Sequence, residues 1–275
     1  MAASAQMAPG ASPPSQIVIP AEGYKPPPKR ISPGAAYASV MSSDKPTPRT
    51  SDGHPDLSGI WGNVTSLAGR GTVRARPGSL EFDQAVLQRG AGWDKPLYRP
   101  EFWAKVRSLD RSRIDVDPVW NCNTPGVPRQ NAPDRIIQKN GDEIVMFNGS
   151  RARIIPVDGQ QLTAADADES TADGIPAGHW DGDKLIVESV GFDDKTWLQW
   201  QGYFHTDRMK VTERFWRQGD LLFYNFTVDD PDVLMEPWTQ YTLVRKLAPN
   251  QKVRFNEEKP CEITPVPEAA PYMRG

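Results

Sequence analysis

The sequence predicts a mainly β protein: an antiparallel barrel with one or two short inserted helices and an extended Pro-rich N-terminal arm. Short β-rich runs follow one another from residue 135 to residue 246. Turn signals of two or three residues separate several of them, which is hairpin chemistry. Antiparallel hairpins in series form a meander that closes or nearly closes on itself.

In chain order, residues 1–50 come first and hold ten prolines. Such a segment cannot pack a core of its own and reads as an extended or disordered arm. Ile17-Val18-Ile19 and Tyr24 are its candidate anchors to the domain or to a second copy, so a homo-oligomer through the arm is one expectation. Residues 51–275 read as a single barrel domain. It opens with Gly59-Ile60-Trp61, a G-x-W entering the first strand. The same pattern opens lipocalin-type barrels, where the Trp plugs one end, so the predicted fold is a lipocalin-like (calycin-type) barrel. Leu80, Phe82, Ala85, Val86 and Leu87, and then Pro100 ahead of Glu101 to Val106, give one or two short helices within 80–113. Asn121 to Arg129 is a loop rich in turn residues. The expected strands are Arg135–Lys139, Glu143–Asn148, Arg151–Pro156, His179–Trp180, Lys184–Val190, Met209–Arg217, Leu221–Val228 and Thr239–Lys246. The turns between them are Asn140-Gly141-Asp142, Asp158-Gly159, Asp181-Gly182-Asp183 and Gln218-Gly219-Asp220.

Composition excludes several classes of function. The chain has 275 residues, 38% of them hydrophobic, and a formal net charge of −3. It is too apolar to be wholly disordered, and it offers no electrostatic case for nucleic acid. Its apolar runs fall far short of the ~20 residues that span a bilayer, so no membrane span is expected. Cys122 and Cys261 are the only cysteines. They read either as two thiols or as one disulfide closing a loop of 139 residues (261 − 122), which fits an oxidising compartment. Neither CxxC nor histidine metal spacing is present, so no metal is expected. GxGxxG after a strand, a P-loop and a GxSxG elbow are also absent, so no cofactor is implied. The first residues lack a signal peptide's basic and apolar regions and resemble an exported protein with its leader removed. A periplasmic or secreted location is expected.

The candidate chemistry lies between Gly178 and Phe215. Alternation puts Val211, Glu213 and Phe215 on one face of their strand, and Arg151, Arg153 and Ile155 on one face of theirs. If those faces point inward, an interior Arg–Glu pair is possible; the alternative is an exposed ladder of opposite charges. The long link after Val190 carries Asp194, Trp197, Trp200, Tyr203, His205 and Asp207. His205 is the candidate general acid or base because its pKa lies near neutrality. Asp207 or Asp194 can orient it, and Tyr203 can donate or bind. His179 reads as a structural hydrogen-bonder and His54 as inert. Asn225 and Thr227 are candidate polar points of a small-molecule pocket.

These strings also resemble a family of exported bacterial proteins. Pro55 to Trp61 is similar to its PDLSGVW opening. Cys122 to Arg129 resembles C-x-P-x-G-V-P-R, and Trp180 to Val187 resembles W-D/E-G-D-x-L-x-V. Gly191 to Leu198 resembles G-F-N-D-x-T-W-L, and His205-Thr206-Asp207 stands at H-S-D. Glu213-Arg214-Phe215, Asp229-Asp230-Pro231 and Pro237-Trp238 follow in order, so the likeness covers roughly 50–262. It departs at Pro176 to Asp183, where the family has G-H-S-x-G-R-W, and at Cys261-Glu262, where the family has Cys-His-Glu. The resemblance implies a secreted or periplasmic β-rich domain and a Cys122–Cys261 pairing. Through relatives in lignin catabolism it implies a phenylcoumaran γ-formaldehyde lyase type of chemistry.

The expected function is thus a cofactor-independent lyase or isomerase acting on an aromatic, lignin-type phenol in the barrel. His205 or Tyr203 is the base, oriented by Asp194 or Asp207. Arg151 or Arg214 stabilises the phenolate. Trp197, Trp200, Tyr224, Asn225 and Tyr241 hold the substrate. The alternative is a non-catalytic, lipocalin-like carrier of hydrophobic ligands, and a third reading is an assembly protein that uses the arm.

Overall fold

The computed structural model describes residues 41–63, 96–109, 116–138, 142–199, 202–252 and 261–262. Among the described residues ten strands carry the fold: β1 (Gly59–Asn63), β2 (Arg135–Gln138), β3 (Glu143–Asn148), β4 (Arg151–Pro156), β5 (Ile175–Asp181), β6 (Lys184–Val190), β7 (Lys210–Gln218), β8 (Leu221–Asp229), β9 (Trp238–Thr239) and β10 (Leu243–Leu247). Nine of them form one antiparallel path, β4-β3-β2-β1-β10-β8-β7-β6-β5, and β9 pairs with β8 off that path. The path curls into a nearly closed, lipocalin-like barrel. Two helices are short: α1 (Trp103–Ser108), preceded by a 3-10 turn at Pro100–Phe102, and α2 (Ala164–Ala167). Of the one or two short helices expected within 80–113, the stretch Leu80 to Leu87 lies outside the described residues, as do the first forty residues of the arm, with Ile17 to Ile19 and Tyr24.

The tight turns follow from residue chemistry. The two-residue loops Gly182-Asp183 and Gly219-Asp220 each put a glycine at positive φ, 57° and 56°, in the first central position. That is the position a type II′ hairpin reserves for glycine. Along β7 the residues are alternately buried and half-buried, with Val211, Glu213, Phe215 and Arg217 on the buried face. On β8 the residues opposite these four are Val228, Phe226, Tyr224 and Leu222, and all are buried. The core is this inward face together with Ile136, Ile144, Met146, Ile155, Leu185 and Val187.

The barrel closes at the seam between β4 and β5, which the hydrogen-bonded path does not join. Gly178 lies so close to β4 that a Cβ there would sit 2.9 Å from Ile155 and 3.0 Å from the Pro156 carbonyl. Arg151 meets Asp173 just ahead of β5, so the two strands run in the same direction. Same-direction neighbours need a crossover, and α2 supplies it, started by a capping box between Thr163 and Asp166.

The two ends differ. At one end Trp61 is buried and donates to the Leu57 carbonyl, with the Arg217 guanidinium over its ring at 5.1 Å. This is the plugged end expected of a G-x-W strand. Residues 43–49 cross the hairpin turns there. Ser43 and Lys45 both donate to Asp220 at 2.7 Å, and Arg49 makes a two-point contact with Asp183. The Lys45 and Ser43 hydrogen bonds hold the Asp220 carboxyl down at about 2. At the other end, the loops 116–133, 168–174, 191–199, 202–209 and 230–237 fold over the strands. α1 packs there, with Lys105 over the Phe204 ring at 3.7 Å. A buried Arg129–Asp117 pair, at 2.7 and 2.9 Å, pins the first of these loops. Cys122 in that loop is disulfide-bonded to Cys261, which is thereby held at this end.

Candidate functional site

Glu213 points into the barrel and is 1% exposed. Burying a carboxylate is tolerable only with partners, and two are present. Arg153 grips it with Nη1 at 3.2 Å from Oε1 and Nη2 at 2.6 Å from Oε2. Tyr224 donates its hydroxyl to Oε1 at 3.0 Å. Burial works against the Arg153 charge, but the Glu213 carboxylate outweighs it and holds the guanidinium above its ordinary value. Burial, with Glu213 beside it, pushes the Tyr224 phenol well above its ordinary value. Phe215 and Phe226 wall the cluster, with ring centroids 4.8 and 6.1 Å from that of Tyr224. The Arg153 Nε atom is buried without a hydrogen-bond partner among the described residues.

A second group of residues lies in the loops at the disulfide end. His205 is buried and its two ring nitrogens are both engaged. Nδ1 lies 2.9 Å from the Thr206 carbonyl and Nε2 lies 2.7 Å from the Thr196 hydroxyl. A carbonyl only accepts, so Nδ1 carries the proton and Nε2 accepts from Thr196. Burial lowers the His205 pKa; the Thr206 carbonyl and the charges of Asp230, Asp193 and Asp194 offset this only in part. Asp230 is fully buried and accepts from the Thr206 amide at 2.7 Å and the Thr206 hydroxyl at 3.0 Å. The carboxylate that braces this loop is therefore Asp230, acting through Thr206. Asp207 and Asp194 are exposed.

Tyr203 is buried beside Tyr98, ring centroids 6.1 Å apart. Trp197 is buried under the Arg129 guanidinium at 5.7 Å. Trp200 lies outside the described residues. Arg151 is on the same strand face as Arg153 and pairs with Asp173 at 3.2 Å. Arg214 and Asn225 lie opposite one another on the other face of the sheet from Glu213. There Arg214 donates to the Thr212 carbonyl and the Thr227 hydroxyl, and Asn225 donates to Thr242. Tyr241 is half-buried between β9 and β10. The sequence-predicted residues therefore fall into three places: the inward face of the barrel (Tyr224 in the interior, Arg151 partly exposed at its rim), the loops at one end (His205, Tyr203, Trp197), and the outer face (Arg214, Asn225). His54, read as inert, stacks on Trp180 at 4.6 Å. His179 is exposed.

Sequence reasoning did not carry Arg153, Glu213, Thr196, Asp230 or Asp173 as site residues. For the first two the signal was in hand, since both sit on the expected inward faces. For Thr196 and Asp230 no local pattern marks the contact. Among the described residues, no group of three or more His, Cys, Asp or Glu side chains gathers into a metal-binding arrangement. Likewise, no helix among them is long and apolar enough to cross a membrane.

A nearly closed antiparallel barrel with a bidentate ion pair and a phenol in its interior defines the chain as a lipocalin-like β-barrel protein. Compared with known proteins, it matches no family model, no curated protein and no solved structure.

Proposed function

We propose that this barrel is a cofactor-independent lyase or isomerase of a lignin-type phenolic aromatic, working in the periplasm or outside the cell. The observation that carries the reading is the buried Arg153–Glu213–Tyr224 cluster, walled by aromatic rings. A charged pair is costly to bury and adds little net stability over an apolar replacement, so its place in the interior supports a functional role. The Cys122–Cys261 disulfide supports an oxidising compartment.

For a phenol whose para carbon bears a cyclic ether fused to a second aromatic ring, with a hydroxymethyl group on the next ring carbon, the protein need supply only proton transfers. The phenol proton leaves, the electron pair opens the benzylic C–O bond, and a quinone methide forms. The released phenoxide takes that proton. The hydroxymethyl O–H then gives up its proton and the adjacent C–C bond breaks. Formaldehyde leaves, and its bonding pair restores the aromatic ring as a stilbene phenolate, which is reprotonated. Substrate equals stilbene plus formaldehyde, with no oxidant or reductant. In this reading Tyr224 and Glu213 relay the proton, and Arg153 faces the developing phenolate.

The carrier reading is favoured by a different observation: both nitrogens of His205 and both oxygens of Glu213 already have partners. Formaldehyde release from a phenylcoumaran-type dimer separates the two readings. A lyase turns the dimer over, and Tyr224→Phe, shown to be folded by circular dichroism, loses about 100-fold or more in kcat. Tight binding of the dimer without formaldehyde, from wild type and variants alike, sinks the lyase and leaves the carrier.

A further inference from the structure

Four residues at or beside the start of the β4–β5 seam each have a buried polar atom without a hydrogen-bond partner among the described residues: Gln130 Nε2, Arg151 Nε, Thr171 Oγ1 and Asp173 Oδ1. Several contacts place them together. Arg151 donates from Nη2 to the other oxygen of Asp173. Thr171 lies two residues before Asp173. The loop bearing Gln130 is tied to both sides of the seam, through the Val127 amide to the Ala172 carbonyl at 3.2 Å and through Asn148 to the Gln130 carbonyl at 3.0 Å. Asn148 is the residue opposite Arg151 in the β3–β4 ladder. Arg153, two residues further along the inward face, brings its own unpartnered Nε, and the Asp173 charge acts on it. Ser189 Oγ, inward on β6 and diagonal to Glu213, is buried and likewise unpartnered. This is where the backbone ladder fails to close, so side chains rather than main-chain bonds line the gap.

The chemistry of the set selects what would fit. Gln130, Arg151 and Arg153 offer N–H donors, Asp173 Oδ1 only accepts, and Thr171 and Ser189 do either. An apolar group would satisfy none of them and leave their desolvation uncompensated. A carboxylate would suit the donors but would meet Asp173 as a like charge. A hydroxyl both gives and takes. We infer that the β4–β5 seam is a recognition subsite for a ligand hydroxyl, phenolic or alcoholic, which donates to Asp173 Oδ1 and accepts from Arg151 Nε. This rests on the proposed function in one respect, that a small molecule occupies the barrel interior, and it assigns Asp173 and Thr171 as determinants of which molecule that is.

The test is calorimetric titration of the full-length, disulfide-intact protein with four probes: guaiacol, benzyl alcohol, veratrole and benzoate. Guaiacol or benzyl alcohol should bind at least about tenfold tighter than veratrole, whose oxygens are methylated, as the loss of one buried hydrogen bond requires. Which of the two binds tighter tells a phenol from an alcohol. Asp173→Ala should bring that preference to within about twofold. Arg151→Gln, at a partly exposed side chain, should shrink it as well and covers the case in which Asp173→Ala does not fold. Equal binding of veratrole, tighter binding of benzoate, binding by none of the four, or a preference that survives both variants overturns the subsite. Formaldehyde release without hydroxyl preference would sink the subsite and leave the lyase standing. Hydroxyl preference without formaldehyde release would do the reverse.

Discussion

Glu213 sits between Val211 and Phe215 on the inward face of β7, a position that would expel a lone carboxylate. Its partners decide the cost of changing it. Glu213→Ala leaves Arg153 buried and unpaired and should cost about 3–5 kcal/mol in urea unfolding. Tyr224→Phe removes one hydrogen bond to a charged group and should cost about 2 kcal/mol. If the two variants cost the same, the ion pair is not the centre of this cluster. The inward faces were legible from alternation alone. Which arginine meets Glu213 was not, because β4 and β7 face each other across the barrel and no local pattern encodes that distance. Alternation leaves Arg151 and Arg153 equally placed; the structure pairs Arg153 with Glu213 and gives Arg151 to Asp173. Similarly, His205 was legible as the notable histidine of its loop, but its partners come from residues nine positions before it and one after it. Its folded-state pKa is depressed below the ordinary 6.5. The unfolded chain therefore binds a proton near pH 6.5 that the folded chain resists. Stability should be full above that pH and fall as the pH drops below it, with the slope given by the one extra proton. Thermal melts from pH 8 to 5 should show this fall, and His205→Gln should flatten it.

At the scale of elements, β3, β4 and β6 match their expected limits, because each is a clean alternating run closed by turn residues. β5 is longer than expected: only His179–Trp180 was foreseen, whereas the strand begins at Ile175. Pro176 falls within it because β5 ends the ladder path, where a proline's missing N–H costs no bond. The single strand expected over Thr239–Lys246 is two, β9 and β10, which pair with different stretches of β8. The helix α2 went unread because a four-residue helix has no periodicity; its only mark is the Thr163–Asp166 cap. Gly178 is the element-scale test. A Val there has no room against Ile155, Pro156 and Val157. Gly178→Val should therefore destabilise by about 1–3 kcal/mol and raise amide exchange along β5 more than along β8. Uniform exchange would mean the seam is not where the barrel gives way.

For the whole molecule, the disulfide joins residues 139 apart in sequence. Cys122→Ser with Cys261→Ser should lower stability by about 2–5 kcal/mol, read as the shift of the urea midpoint under matched conditions. An unchanged midpoint would mean the staple only tethers the tail. The pairing could not be read from spacing, since two cysteines admit a bond or two thiols equally. The barrel itself was legible, because the hairpins and the G-x-W are both local signals. Its closure was not, since a seam held by side chains leaves no pattern along the chain. That seam has a consequence for how the protein behaves in a crowd. Two strand edges with unpaired backbone groups face each other across it, and each hides the other from neighbouring molecules. If β5 swings away, one monomer becomes an open sheet with two sticky margins. Either margin can then template pairing with another copy, an aggregation liability that the closed barrel keeps hidden.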